Sequence, residues 1–177
     1  KALEQMEMDH EKLEKELDRT LELFKQLEFE KKLDESIQKT EELIKDQEEL
    51  IEESGDKKNA EEELGEKQEE LNEELESLQD ELKELSQMNE ELEEPNDLSD
   101  EAGEKAEEAS EKMEEASDEL SDGNRKKGKD KQEGAKEKLE EMQESLSQFQ
   151  EQMAQDQQAE NLEDMRQLLE NIVDLSH

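Results

Sequence analysis

Leu64, Leu71, Leu75, Leu78, Leu82, Leu85 and Leu92 follow an alternating four-three spacing, in a segment whose other positions are almost all Glu, Asp, Gln or Asn. Gln68 and Asn89 fill the two positions of the series that are not leucine, so the stripe runs from 64 to 92 without a skip. A seam sustained over about four heptads specifies a helix that buries one narrow edge against another helix. The stripe is aliphatic and offers no group that could perform a reaction.

Breakers and shifts of frame divide the rest of the chain. Residues 1–54 read as one long helix 1: Leu3, Met6, Leu13, Leu17, Phe24 and Leu27 keep one heptad frame, and Leu33, Ile37, Ile44 and Ile51 keep another. The seam drifts near Glu30, where no Gly or Pro interrupts the helix. Ser54-Gly55-Asp56 is a stop signal, residues 55–59 form a turn, and Asn59 with Glu62 reads as an N-cap with its reciprocal partner. Helix 2 then occupies 60–94, until Pro95 removes a backbone donor.

Asn96 or Asp97 can cap helix 3, a Pro-broken, Ala-rich segment over 95–121. Its seam is Ala102, Ala106, Ala109, Met113, Ala116 and Leu120, with Ala where helix 2 has Leu. Small seam residues bring axes close but bury less apolar area, by roughly 1–2 kcal/mol per position, so helix 3 is expected to fray first. Residues 122–134, with Gly123, Gly128 and Gly134 among five cations, read as a basic loop. The C-terminal segment 135–177 restarts the heptad at Ala135, Leu139, Met142, Leu146, Phe149 and Met153. A polar run from Gln155 to Asn161 precedes Leu162, Met165, Leu169 and Ile172, so this segment is one helix with a polar turn or a helix pair.

These lengths suggest an assembly. Helix 1 would span roughly 80 Å at 1.5 Å per residue. Helices 2 and 3, kinked at Pro95, could run back along it and residues 135–177 could return as a third strand. The expected fold is therefore all-α, an elongated antiparallel helical hairpin or three-helix coiled-coil bundle. Two hairpins that pair with other chains fit the same seams, which leaves the oligomeric state open. The structural seam residues are Phe24, the seven helix 2 leucines, Phe149, Leu169 and Ile172.

Composition narrows the class. With 61 acidic against 23 basic residues, a net charge of -38, 27% hydrophobic residues and 2% aromatics, the chain is too polar for an ordinary globular core. An extended helical assembly and a disordered acidic tail remain, and the repeated three-four spacing decides for helix. Without Cys there are no disulfides or thiolate metal sites. No apolar run approaches the roughly 20 residues that span a bilayer. The chain begins at Lys1 without Met, which suggests one segment of a larger protein, with any membrane segment outside it.

Charge is unevenly spread. Residues 1–54 carry 9 basic and 19 acidic groups, and Glu11–Lys15, Glu28–Lys32, Glu35–Lys39 and Glu41–Lys45 have the spacing of intrahelical pairs. Residues 55–121 carry 6 and 28, so that stretch repels itself and should gain from cations or a basic partner. Residues 122–138 carry 7 and 4 and form the one positive island.

Candidate chemistry is sparse. Arg125, Lys126, Lys127, Lys129 and Lys131 could contact an anion or a partner, yet no aromatic interleaves them and the rest of the chain would be repelled by a polyanion. Nucleic acid is therefore not an expected partner. Glu7 and His10 have the spacing of a helical metal pair, but Asp174 and His177 are the only second pair and two further inward carboxylates are not evident. Acidic runs such as Glu61–Glu63 lack a calcium-loop pattern. No nucleophile-base arrangement stands out, so neither catalysis nor a cofactor is expected.

The stretches Arg19 to Leu33, Leu82 to Leu92 before Pro95, and Asn161 to Ser176 resemble the central coiled-coil region of a family of large membrane-anchored, coiled-coil-rich proteins of unknown function from Bacteroidetes-type bacteria. The resemblance covers most of the chain in order. It implies a cell-envelope setting, on the periplasmic side of a membrane-anchored protein, and brings no catalytic residues. The expected function is a non-catalytic coiled-coil scaffold or spacer that contacts protein partners within a larger complex. The alternative is a polyanionic module that binds basic partners or cations, accessory to a secretion or motility complex.

Overall fold

The computed structural model describes residues 2–56 and 58–175, with side chains described at position 10, from 12 to 159 apart from 57, and at 162, 165 and 166. Four helices follow one another: α1 (Ala2–Gly55), α2 (Glu61–Glu90), α3 (Glu101–Ser121) and α4 (Arg125–Leu175). There is no strand among the described residues, and the fold is all-α.

Each helix packs on its neighbours in the chain, and α4 closes the ring against α1. Cross-helix bonds fix the directions. Lys39 to Glu81 and Lys67 to Glu53 tie α2 antiparallel to α1. The Ser110 hydroxyl donates to Asn72 Oδ1 at 2.8 Å and that of Ser117 to the Gly65 carbonyl at 3.1 Å, which sets α3 antiparallel to α2. Lys131 to Glu115 and Lys105 to Glu141 join α3 to α4, and Lys136 to Glu48 joins α4 to α1. The result is an up-down-up-down arrangement of four helices.

The expected three-helix path, with helices 2 and 3 running on past Pro95, is thus replaced by a reversal. Helix α2 stops at Glu90 rather than 94, and Pro95 lies within a connection over 91–100. A clasp makes the turn: Asn89 Nδ2 donates to the Asn96 carbonyl at 2.9 Å, while Asn96 N and Nδ2 donate to Asn89 Oδ1 at 2.9 and 3.0 Å. Asn96 is therefore occupied in the turn, and Asp100 precedes α3 without a side-chain cap bond. Likewise Ala60 precedes α2, while Asn59 donates to the Glu53 carbonyl instead of capping.

The core follows heptad spacing on every helix. On α1 it is Phe29, Leu33, Ser36, Thr40, Leu43, Gln47, Leu50 and Ser54, with Ile37 beside it. Ile44 and Ile51, expected on the seam, are half-buried. The Ser36 and Thr40 hydroxyls donate to the carbonyls four residues back, so they sit in the core without needing a partner helix. On α2, Leu64, Leu75, Leu78 and Leu85 are buried and Leu71 and Leu82 partly so, and Leu92 is buried just past its end. All six expected α3 positions and all six from Ala135 to Met153 on α4 are buried.

The basic loop shrinks to a turn at 122–124, where Gly123 adopts φ +79°, and α4 begins at Arg125. Its seam extends back through Gln132 and Gly128. Gly128 is a contact residue, not a breaker: a Cβ there would meet Leu120 at 2.6 Å and the Ala116 carbonyl at 3.3 Å. Close approach of α3 and α4 explains both this glycine and the alanines opposite it. At the other end, residues 155–161 do not interrupt α4.

Candidate functional site

Among the described residues, no group of three or more His, Cys, Asp or Glu side chains could hold a metal ion. His10 is exposed beside Glu14, while the Glu7, Asp174 and His177 side chains lie outside the described residues. A cavity of about 460 Å³ between α2 and α3, near their connection, is lined by Leu82, Lys83, Leu98, Asp100 and Glu107 among others.

The basic cluster is largely consumed inside the fold. Arg125 spans the turn between α1 and α2: its Nη1 donates to the Asp56 carbonyl at 2.6 Å and the Ser54 carbonyl at 3.3 Å, and Nη2 to the Asn59 carbonyl at 2.5 Å. Its Nε reaches Glu61 at 3.3 Å. One guanidinium thus ties the Ser54 carbonyl at the end of α1 to the Asp56 and Asn59 carbonyls of the turn that follows. Lys127 pairs with Glu119 at 3.2 Å, Lys131 with Glu115 at 2.5 Å and Lys129 with Glu133 at 3.9 Å. Lys126 is exposed.

A four-membered network continues that zip between α3 and α4. Lys138 lies 2.8 Å from Glu141 and 2.9 Å from Glu108, and Lys105 lies 3.0 and 3.6 Å from the same two carboxylates. The Glu141 bond, then the Glu108 bond, holds the Lys138 ammonium above the usual lysine range. Both carboxyls are held below the usual glutamate range, in each case first by the Lys138 hydrogen bond. On α1, two of the expected intrahelical lysines instead reach across to α2, Lys32 to Glu84 and Lys39 to Glu81.

The feature left over is apolar. Leu13, Leu17, Leu21, Leu23, Phe24 and Leu27 of α1 are more than half exposed, as are Leu162 and Met165 of α4. Phe24, expected as a seam residue, is 64% exposed, whereas Phe29 is fully buried and meets Phe149 edge to face with centroids 6.1 Å apart. At 100° per residue the α1 strip covers an arc of about 160°, centred roughly half a turn away from the face that Phe29, Ser36 and Leu43 bury. The drift expected near Glu30 is therefore a change of side. Residues 29–54 build the bundle, and 13–27 turn their leucines outward.

The inner face of that same stretch is polar and meets the far end of the bundle. Lys25 Nζ donates to the Glu91 carbonyl at 2.9 Å, and the Glu93 backbone N–H donates to Glu22 at 2.6 Å. The strip is thus outward-facing on a helix anchored from behind. The Leu169 and Ile172 side chains lie outside the described residues. Comparison with protein-family models, with curated proteins and with solved structures finds no match to the chain.

Proposed function

We propose that this chain is a non-catalytic helical scaffold or spacer that works by protein–protein contact through the outward apolar strip of α1. The observation that carries this reading is the strip itself: six large apolar residues exposed side by side on a highly charged protein, more than chance scatter leaves on a soluble surface. The elongated helices add reach, since α1 alone spans roughly 80 Å. No helix among the described residues is long and apolar enough to cross a membrane. The resemblance to large envelope proteins supports a periplasmic setting, with anchoring supplied by segments outside this chain and the function exercised within a larger complex.

A second reading is favoured by α2, which carries 13 acidic and 2 basic residues and offers an acidic outer face to basic partners or cations. Salt separates the two. Immobilised chain should retain envelope proteins from about 50 to 500 mM salt, and should lose them in the double variant Leu17→Glu, Phe24→Glu. Binding of poly-lysine and of those proteins that collapses with salt, and is indifferent to the double variant, would instead support the polyanion reading.

A further inference from the structure

The strip fits a second copy of this chain. We propose that α1 strips from two molecules pack together across a two-fold axis near Thr20, with the two helices antiparallel. This rests on the scaffold reading and deepens it, by naming a second copy of the chain as the protein held on that strip.

Area is the first argument. The six residues, each 56–67% exposed, present roughly 700 Å² of apolar surface per copy, taking about 180–220 Å² for each when fully exposed, close to the roughly 800 Å² per partner of a standard interface once flanking polar atoms are added. Charge is the second. Residues 12–28 carry four basic and five acidic side chains, near balance in a chain of net charge -38, so this is a stretch where two copies can meet without strong repulsion. Orientation follows from the same imbalance: antiparallel packing sends the two acidic bundles to opposite ends, whereas parallel packing sets them side by side. A two-fold axis also makes the contact self-complementary and closed, as a strip that ends on the same helix requires.

The test is sedimentation of the purified chain from low to high micromolar concentration, with and without added salt. A concentration-dependent dimer is expected, strengthened or unchanged by salt, and lost in Leu17→Glu, Phe24→Glu with helical content and melting of the monomer retained. Orientation is read from single cysteines in this Cys-free chain: Thr20→Cys should form a disulfide-linked dimer on oxidation and Lys12→Cys should not. A wild-type monomer at every concentration would overturn the proposal and leave the strip to another protein. A dimer that survives the double variant, or a larger assembly, would overturn it as well, and ready cross-linking at both cysteines would overturn the antiparallel form.

Discussion

Gln47 and Gln68 exchange two hydrogen bonds in the fully buried core between α1 and α2, Nε2 of Gln47 to Oε1 of Gln68 at 3.0 Å and the reverse at 2.8 Å. Each amide supplies what the other lacks, so the pair is tolerated at two seam positions where leucine would otherwise sit. Sliding α2 by a heptad would part the two amides and leave each without its matched partner, a penalty that selects one register. Gln47→Leu should therefore cost about 1–3 kcal/mol, because it strands the Gln68 amide. Gln47→Leu with Gln68→Leu should recover most of that loss in a thermal melt. Equal losses for the single and double variants would show that the pair does not act as a unit.

Leu78 is buried at the centre of the α2 seam, and Glu76 two residues away is exposed. Leu78→Asp should destabilise by about 3–5 kcal/mol through lost burial and a stranded charge. Glu76→Ala should change the melting temperature little. Equal melts for the two would refute the assignment of faces on α2.

The α3–α4 network predicts a pH signature. Glu108 and Glu141 titrate below the usual glutamate range in the folded chain, so their contribution is complete above that range and is lost as pH falls through the lowered values. Replacing both with Gln also removes two charges from a self-repelling chain, which opposes the loss. A lower melting temperature for the double variant at neutral pH would mean that pairing with Lys138 and Lys105 outweighs repulsion. That difference should vanish in acid below the glutamate range, where protonated Glu and Gln are equivalent, and persistence there would exclude the salt network as its cause.

The reversal of α3 onto α2 is open to a distance measurement. Glu73 and Glu111 are exposed neighbours of the bonded pair Asn72 and Ser110. Spin labels at these two positions should lie within about 25 Å, given axes roughly 10 Å apart. A helix continuing through Pro95 would separate them by roughly 57 Å, at 1.5 Å for each of 38 residues.

Where apolar seam residues are continuous the sequence is transparent, and where polar residues hold the seam it is not. Ala102 to Leu120 and Ala135 to Met153 are buried as their spacing predicts. On α1 the buried series includes Ser36, Thr40, Gln47 and Ser54, so the conspicuous leucines at 13–27 and Phe24 drew the seam to the wrong side of the helix. Gly128 reads as a loop residue because a breaker and a close-contact glycine are identical in one dimension; only Leu120 packed against it tells them apart. The Asn89–Asn96 clasp and the grip of Arg125 on three carbonyls join residues through turns whose course no periodicity encodes. The outward strip was legible as a heptad, but its exposure depends on what the opposite face of α1 contacts.

The scaffold proposal has this chain hold protein on the outward strip of α1 and not on its acidic faces. Its most direct test is a photo-crosslinking residue placed at Phe24 or at Glu76, both exposed, with adducts recovered from the host cell. Protein adducts, to a second copy or to another chain, are predicted from position 24 and not from position 76. Adducts from position 76 alone, or from neither, would overturn that proposal.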